Sequence, residues 1–168
     1  MDWWGGIAII PDKHHDGLFL MDSFFEMEIQ SRFDEVPGMA GRVEQFLERW
    51  GANTGVRHAV QVVLEELVTN IIKASAERSG PGPIRIVMEM GRDVLAVRVT
   101  DGGEAFDPLR DAPPPILDKP LEERPIGGLG LHMMRNLSES IHYERADGRN
   151  VVTVRFRKEP SNLKERPA

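Results

Sequence analysis

Residues 55–78 read GVRHAVQVVLEELVTNIIKASAER, and this stretch carries the strongest structural signal in the chain. Its apolar side chains recur at intervals of three and four residues, which places them on one face of a helix. The apolar positions are Val56, Val60, Val63, Leu64, Leu67, Val68, Ile71 and Ile72. The pattern predicts a long helix over about residues 55–78 that buries this broad face.

Three polar residues, Glu66, Asn70 and Lys73, fall together on one flank of that helix, because they are three and four residues apart. A carboxylate, an amide and an ammonium group therefore line one edge of a largely buried helix. The same spacing also fits a flank that is simply exposed to solvent. The functional interpretation is an amide oxygen for a hard cation beside a carboxylate base. Glu65 lies on the opposite flank and is the weaker candidate for the base.

Upstream of this helix, the sequence predicts one strand and one further helix. Phe25, Met27 and Ile29 alternate with polar residues, which is typical of a half-buried strand. Pro37 then opens a helix with apolar residues at helical spacing, and Gly51 ends it.

Downstream, the sequence predicts a hairpin, a short helix and a second pair of strands. These elements are the strands Ile84–Met90 and Val94–Thr100, the helix Leu131–Ser138, and strands near Ser140–Arg145 and Val151–Arg157. The strands alternate apolar and polar residues, so the helices are expected to cover one sheet face. The element order predicts an α/β fold, a two-layer sandwich with a mixed, mostly antiparallel sheet.

The composition limits the classes of function. The chain has 168 residues and a formal net charge of −6, which argues against an electrostatic grip on nucleic acid or an anionic membrane. It has no cysteine, so disulfides and thiolate metal sites are excluded. No apolar run approaches the roughly 18 residues of a transmembrane helix. The start of the chain is a poor secretory signal, so the cytoplasm is the expected compartment.

Composition also predicts the domain boundaries. Residues 1–20 form a leader to which we assign no role, residues 21–158 form one domain, and residues 159–168 form a polar tail. Within the domain, residues 107–125 form a long loop that holds 6 of the 12 prolines. Loops of this length in a compact domain are usually functional or disordered.

Two glycine-containing turns flank that loop. Asp101 ends a strand and is followed by two glycines, which fits a simple turn. It also fits a carboxylate that accepts a hydrogen bond from a base, with Gly103 letting a flat ring approach the backbone. Residues 127–130, Gly-Gly-Leu-Gly, open a helix, which fits a helix-start turn or an anion site made of backbone N–H groups. They form neither a dinucleotide fingerprint nor a Walker A loop.

The order of these motifs resembles the GHKL ATPase superfamily: Glu-x-x-x-Asn on a helix, Asp-x-Gly after a strand, a long lid, and Gly-x-Gly opening a helix. Within that superfamily, the residues in and around these motifs are similar to those of bacterial anti-sigma-factor serine kinases. The similar segments are residues 66–70, ELVTN; 101–108, DGGEAFDP; 125–131, PIGGLGL; and the ending within 143–153. The resemblance covers about residues 24–157.

The resemblance implies a site for ATP and Mg²⁺. It implies that Asn70 is a ligand of Mg²⁺, that Glu66 takes the proton from an attacking serine hydroxyl, and that Asp101 accepts from the adenine amino group, with Gly103 beside the ring. The further nucleotide contacts that it implies are Lys73, Arg124 from the lid, Gly127, Gly128 and Gly130 around the phosphates, and Thr153 behind the adenine.

The resemblance also implies a function and partners. The implied protein is a serine kinase that phosphorylates a STAS-type anti-sigma antagonist, holds a sigma factor inactive and forms a homodimer. An alternative is a nucleotide-gated partner-switching module with little or no kinase activity. A third is a detached catalytic piece of a histidine kinase, which requires a separate histidine-bearing partner. Glu66 favours the enzyme, because a pure switch need not keep a base at that position.

Overall fold

The computed structural model describes residues 23–78, 82–107 and 134–158. The expectations for the leader 1–20, for nearly all of the 107–125 loop, for the glycine-rich turn 127–130 and for the tail 159–168 lie outside this described part.

The described residues form an antiparallel sheet, two long helices and shorter helical turns. The strands are β1 (Ser23–Gln30), β2 (Pro83–Met90), β3 (Val94–Asp101), β4 (Ser140–Ala146) and β5 (Arg149–Arg157). The helices are α1 (Val36–Trp50), preceded by a 3₁₀ turn at Phe33–Glu35, and α2 (Thr54–Arg78). Residues 134–137 are also helical, within the span predicted for the short helix.

The sequence provides the chemistry for the starts of both long helices and for the end of α1. Pro37 lies in the first turn of α1, where its missing N–H costs no hydrogen bond. Gly51 ends α1 in the left-handed conformation, with φ 78°, and its N–H donates to the Glu48 carbonyl. The Asn53 side-chain oxygen accepts from the Val56 N–H at 2.9 Å and caps the start of α2. The predicted long helix is confirmed over Thr54–Arg78.

The sheet has the strand order β1-β2-β3-β5-β4, and every pairing between these described strands is antiparallel. The predicted α/β fold is therefore confirmed. The sheet was expected to be mixed and mostly antiparallel, and its described strands pair only in the antiparallel sense. The hairpin between β2 and β3 is present as predicted. The β4–β5 hairpin turns at Asp147 and Gly148, which both have positive φ, as its two-residue connection requires.

Both helices pack on one face of the sheet. The core includes Met39, Val43 and Leu47 of α1, Val60, Leu64 and Val68 of α2, and strand residues such as Ile86, Val97, Val99, Val152 and Val154. Because side chains alternate between sheet faces, Asp101 at the end of β3 lies on the same face as Val97 and Val99. The fold thus brings the end of β3 to the edge of the helix-covered face.

Candidate functional site

The flank of α2 brings two of the sequence-predicted residues into contact. The Asn70 side-chain nitrogen, Nδ2, donates to Glu66 Oε1 at 2.9 Å, and both side chains are half-buried. Because Nδ2 faces the carboxylate, the amide oxygen Oδ1 is the atom that Asn70 offers to a ligand. Lys73 lies on the next part of the flank and is exposed, as is Glu65.

The second part of the site is the carboxylate of Asp101 at the end of β3. Its Oδ1 atom accepts from the Gly103 backbone N–H at 2.8 Å and from Asn150 Nδ2 at 3.0 Å. The second oxygen, Oδ2, takes part in neither bond. The carboxylate is therefore held on one side by two protein donors and presents its other oxygen as an acceptor.

Asn150 is a site residue to which sequence reasoning gave no role. It is the second residue of β5, lies directly opposite Asp101 in the β3–β5 register, and is 5% exposed. Its Nδ2 also donates to the Glu104 carbonyl at 2.8 Å, and its Oδ1 accepts from Tyr143 Oη at 2.9 Å and from an Arg145 guanidinium nitrogen at 2.8 Å. The strand register identifies Asn150 as a partner of Asp101, and the register cannot be inferred from the motif alone.

A cavity of about 230 Å³ connects the end of the sheet with the C-terminal half of α2. Its lining includes Asp101 and Gly103 from the end of β3 and the turn after it, and Ile71 and Ser75 from α2. Ile71 directly follows Asn70 on α2, but neither Glu66 nor Asn70 lines the cavity itself.

One of the residues that line the cavity, Arg85 of β2, belongs to an ion pair with Glu26 of β1. Arg85, which lines the cavity, donates from Nε to Glu26 Oε1 at 2.6 Å. This hydrogen bond lowers the pKa of the Glu26 carboxyl group and raises the pKa of Arg85. Both groups are thereby held in their charged forms. Arg85 lies between the core residues Ile84 and Ile86, so strand alternation places its side chain on the sheet face opposite Asp101.

The structure does not bring Thr153 to this cluster. Thr153 lies between Val152 and Val154, which are both in the core beneath the helices, and it pairs with Arg98 and His142. Strand alternation therefore places Thr153 on the sheet face opposite Asp101. We leave it out of the proposed site. Arg124, Gly127, Gly128 and Gly130 lie outside the described residues.

A protein-family model described as "Histidine kinase-like ATPase domain" matches residues 29–156, which is most of the chain. The chain belongs to this family. The match spans the Glu66–Asn70 pair, Asp101 and Asn150, and it confirms the resemblance to the GHKL ATPases. Membership in the histidine kinase-like ATPase family implies that the domain binds ATP.

Curated relatives of this family member are named as protein kinases. The serine/threonine-protein kinase BtrW of Bordetella bronchiseptica is 28% identical over 115 residues, which cover 68% of this chain and 79% of the relative. The serine-protein kinase RsbW of Bacillus cereus (strain ATCC 10987 / NRS 248) is 27% identical over 142 residues, which cover 82% of this chain and 88% of the relative.

A solved structure shows the same fold. The crystal structure of the RsbU and RsbW domains of a Mycobacterium tuberculosis protein matches with a TM-score of 0.58 at 13% identity. The match covers 80% of this chain and 32% of that longer chain, so the present chain spans about a third of its length. At this identity the similarity is evidence for the fold alone.

The residues of this histidine kinase-like ATPase domain fit a nucleotide with a bound divalent cation. Asp101 offers a fixed acceptor beside a cavity, and Asn70 offers an amide oxygen, a ligand type that Mg²⁺ accepts. In the described ranges, no group of three or more His, Asp or Glu side chains is arranged to hold a metal ion. Within the same ranges, no helix is long and apolar enough to cross a membrane.

Gly103 provides a test of the Asp101 arrangement. A Cβ atom built on Gly103 would lie 2.8 Å from Asp101 Oδ1, closer than real Cβ contacts allow. Gly103→Ala should therefore turn the carboxylate away from its donors and weaken ATP binding by about tenfold, the loss of roughly one charged hydrogen bond. Isothermal titration calorimetry of the variant with ATP measures this loss of affinity.

The matched control is Gly102→Ala, because a Cβ there meets no protein atom within 4 Å. Both variants should retain the wild-type circular dichroism spectrum. An unchanged ATP affinity in Gly103→Ala would contradict the assignment of Asp101 to the base.

Proposed function

We propose that the chain is an ATP-dependent serine protein kinase that acts as an anti-sigma regulatory factor. The observation that carries the proposal is the 2.9 Å contact between Glu66 and Asn70 on α2, in a family whose curated relatives are named serine kinases. The contact joins a candidate base to a candidate metal ligand. In the proposal, the phosphate end of the nucleotide lies at this pair and the base lies at Asp101.

In the proposed reaction, the Glu66 carboxylate accepts the proton of a serine hydroxyl on a partner protein. The serine oxygen forms a bond to the γ-phosphorus of ATP, the bond from that phosphorus to the β,γ-bridging oxygen breaks, and ADP leaves with the electron pair. Mg²⁺, when bound, supplies positive charge that neutralises the phosphoryl oxygens. Asn70 would hold that ion through Oδ1, and its Nδ2 keeps the Glu66 carboxylate oriented.

The proposed partners follow from the same resemblance. The serine belongs to a STAS-type anti-sigma antagonist, and the second partner is a sigma factor that the kinase sequesters. We further propose a homodimer that works in the cytoplasm, with no direct contact to nucleic acid or membrane. The net charge of −6 supports a protein partner rather than a polyanion.

Base selectivity tests the role of Asp101. Adenine presents an amino donor to the free carboxylate oxygen, whereas guanine presents a carbonyl oxygen there. An unpaired buried polar group costs about 1–3 kcal/mol, and more if it is charged. ATP should therefore bind at least roughly tenfold more tightly than GTP.

Titration of the protein with ATP and, separately, with GTP, both in the presence of Mg²⁺, measures this preference. In Asp101→Asn, whose amide can turn either a donor or an acceptor to the base, the preference should shrink. Equal affinities of the wild type for ATP and GTP would remove Asp101 from the base site.

The decisive experiment for the function is incubation with γ-labelled ATP and candidate STAS proteins. The expected result is acid-stable label on a serine of one partner, dependent on Mg²⁺. If no partner is labelled, yet ATP and ADP change the binding of a partner, the domain is a nucleotide-gated switch. Acid-labile label on a histidine of a partner would instead indicate a detached histidine kinase module.

A further inference from the structure

We propose that Asn150 is a positioning residue that fixes Asp101 and thereby sets the selectivity of the site for a purine with a 6-amino group. The inference rests on the proposed nucleotide site, and it concerns a residue that would not itself touch the nucleotide. Its basis is the set of hydrogen bonds around a side chain that is 5% exposed, in which the Phe106 N–H also donates to Oδ1, at 3.4 Å.

The orientation of the Asn150 amide is determined by its neighbours on β4. The Arg145 guanidinium can only donate, so the atom that receives its 2.8 Å bond must be the oxygen, Oδ1. The Tyr143 hydroxyl donates to the same oxygen at 2.9 Å. The amide nitrogen must therefore face the other way, toward Asp101 and the Glu104 carbonyl.

This orientation determines which Asp101 oxygen is available. Asn150 Nδ2 and the Gly103 N–H both donate to Oδ1, at 3.0 and 2.8 Å, so the two donors occupy the acceptor sites of that atom. Oδ2 is left as the acceptor directed away from the pair. A base that donates a hydrogen bond fits Oδ2, and a base without that donor leaves a desolvated carboxylate oxygen unpaired.

The network also links three segments of the chain to the carboxylate. Arg145 donates to the Gly103 carbonyl at 2.8 Å as well as to Asn150, so β4 contacts both groups that hold Asp101. Asn150 itself comes from β5, and Asp101 from β3. Without the Asn150 amide, Asp101 keeps the Gly103 donor alone and can rotate about its side-chain torsions. The preference of the site for one pattern of base donors should then weaken.

The test compares ATP with purine riboside triphosphate, whose base lacks only the 6-amino group. The wild type should bind ATP about tenfold or more tightly than the analogue, which is the effect of one charged hydrogen bond. In Asn150→Ala, this ratio should fall by about fivefold, the coupling expected between groups of one hydrogen-bond network. A purely structural role would weaken both nucleotides equally and leave the ratio unchanged.

A second variant covers the case in which Asn150→Ala unfolds the domain, and thermal melting identifies that case. Asn150→Asp keeps the side-chain shape and the acceptor for Tyr143 and Arg145, but it replaces the nitrogen that faces Asp101 with an oxygen. At pH 8 it should also reduce the ratio, by about fivefold. A wild-type ratio in a folded variant would overturn the proposal for Asn150 alone. A wild type that does not distinguish the two nucleotides would overturn the assignment of Asp101 and this inference with it.

Discussion

Replacing Asn70 with alanine is expected to reduce phosphotransfer by about 10²–10³-fold, the usual loss when one preorganised electrostatic contact to a developing charge is removed. The side chain is half-buried, and its oxygen is the atom left for a cation once Nδ2 donates to Glu66. A Mg²⁺ ion with a single protein ligand keeps several waters and binds chiefly to the nucleotide phosphates. Loss of that ligand should misplace the phosphates rather than unfold α2, because alanine favours a helix interior.

The measurement is the initial rate of serine phosphorylation over a range of Mg²⁺ concentrations. Gln61→Ala is the matched control, since it also removes a side-chain amide from α2, one that donates to the Ala40 carbonyl at 2.9 Å. Gln61→Ala should leave the dependence on Mg²⁺ unchanged. Wild-type activity in Asn70→Ala would show that the metal is held elsewhere.

Local periodicity was sufficient to predict the elements that carry the site. The helix predicted over residues 55–78 is observed at Thr54–Arg78, and the predicted β2–β3 hairpin is present. These features are encoded within short windows, by a helical apolar repeat and by alternation around a polar turn. The contact between Glu66 and Asn70 follows from the same local rule, because residues four apart on a helix are neighbours.

The Asn150 network could not be predicted in this way, because it depends on long-range strand pairing. Asn150 and Asp101 are 49 residues apart, and they meet only because β5 pairs antiparallel with β3. The strand order β1-β2-β3-β5-β4 is likewise a property of the folded sheet. Neither can be inferred from the residues that follow Asp101, because an Asp-Gly-Gly turn accounts for that local sequence without any long-range partner.

Thr153 shows how a difference of one residue changes the interpretation of a strand. A residue in an alternating strand faces one side of the sheet, and its neighbour faces the other. The motif resemblance assigned an adenine contact to Thr153, but the core residues of β5 are Val152, Val154 and Phe156. Val152, and not Thr153, therefore lies on the same side of the sheet as Asp101. The motif resemblance alone could not determine which of these two residues faces inward.

The second large effect is expected at Glu66. Glu66→Gln keeps the shape of the side chain and removes the proton acceptor, so serine phosphorylation should fall by about 10²-fold or more. The affinity for ATP should change little, because the proposed role of the carboxylate concerns the serine proton and not the nucleotide. The measurement pairs single-turnover transfer to the STAS partner with a separate ATP titration.

The control is Glu65→Gln, which makes the same chemical change at the adjacent, exposed position of α2. This variant should leave both the rate of phosphate transfer and the affinity for ATP nearly unchanged. Glu66 also accepts the Asn70 Nδ2 hydrogen bond, so part of any loss in Glu66→Gln could arise from a displaced Asn70. The two causes separate in the dependence on Mg²⁺: a displaced metal ligand raises the Mg²⁺ concentration needed for half-maximal rate, whereas a missing base lowers the rate at saturating Mg²⁺. Wild-type transfer by Glu66→Gln would leave a kinase whose serine is activated by another group, and it would exclude Glu66 as the base.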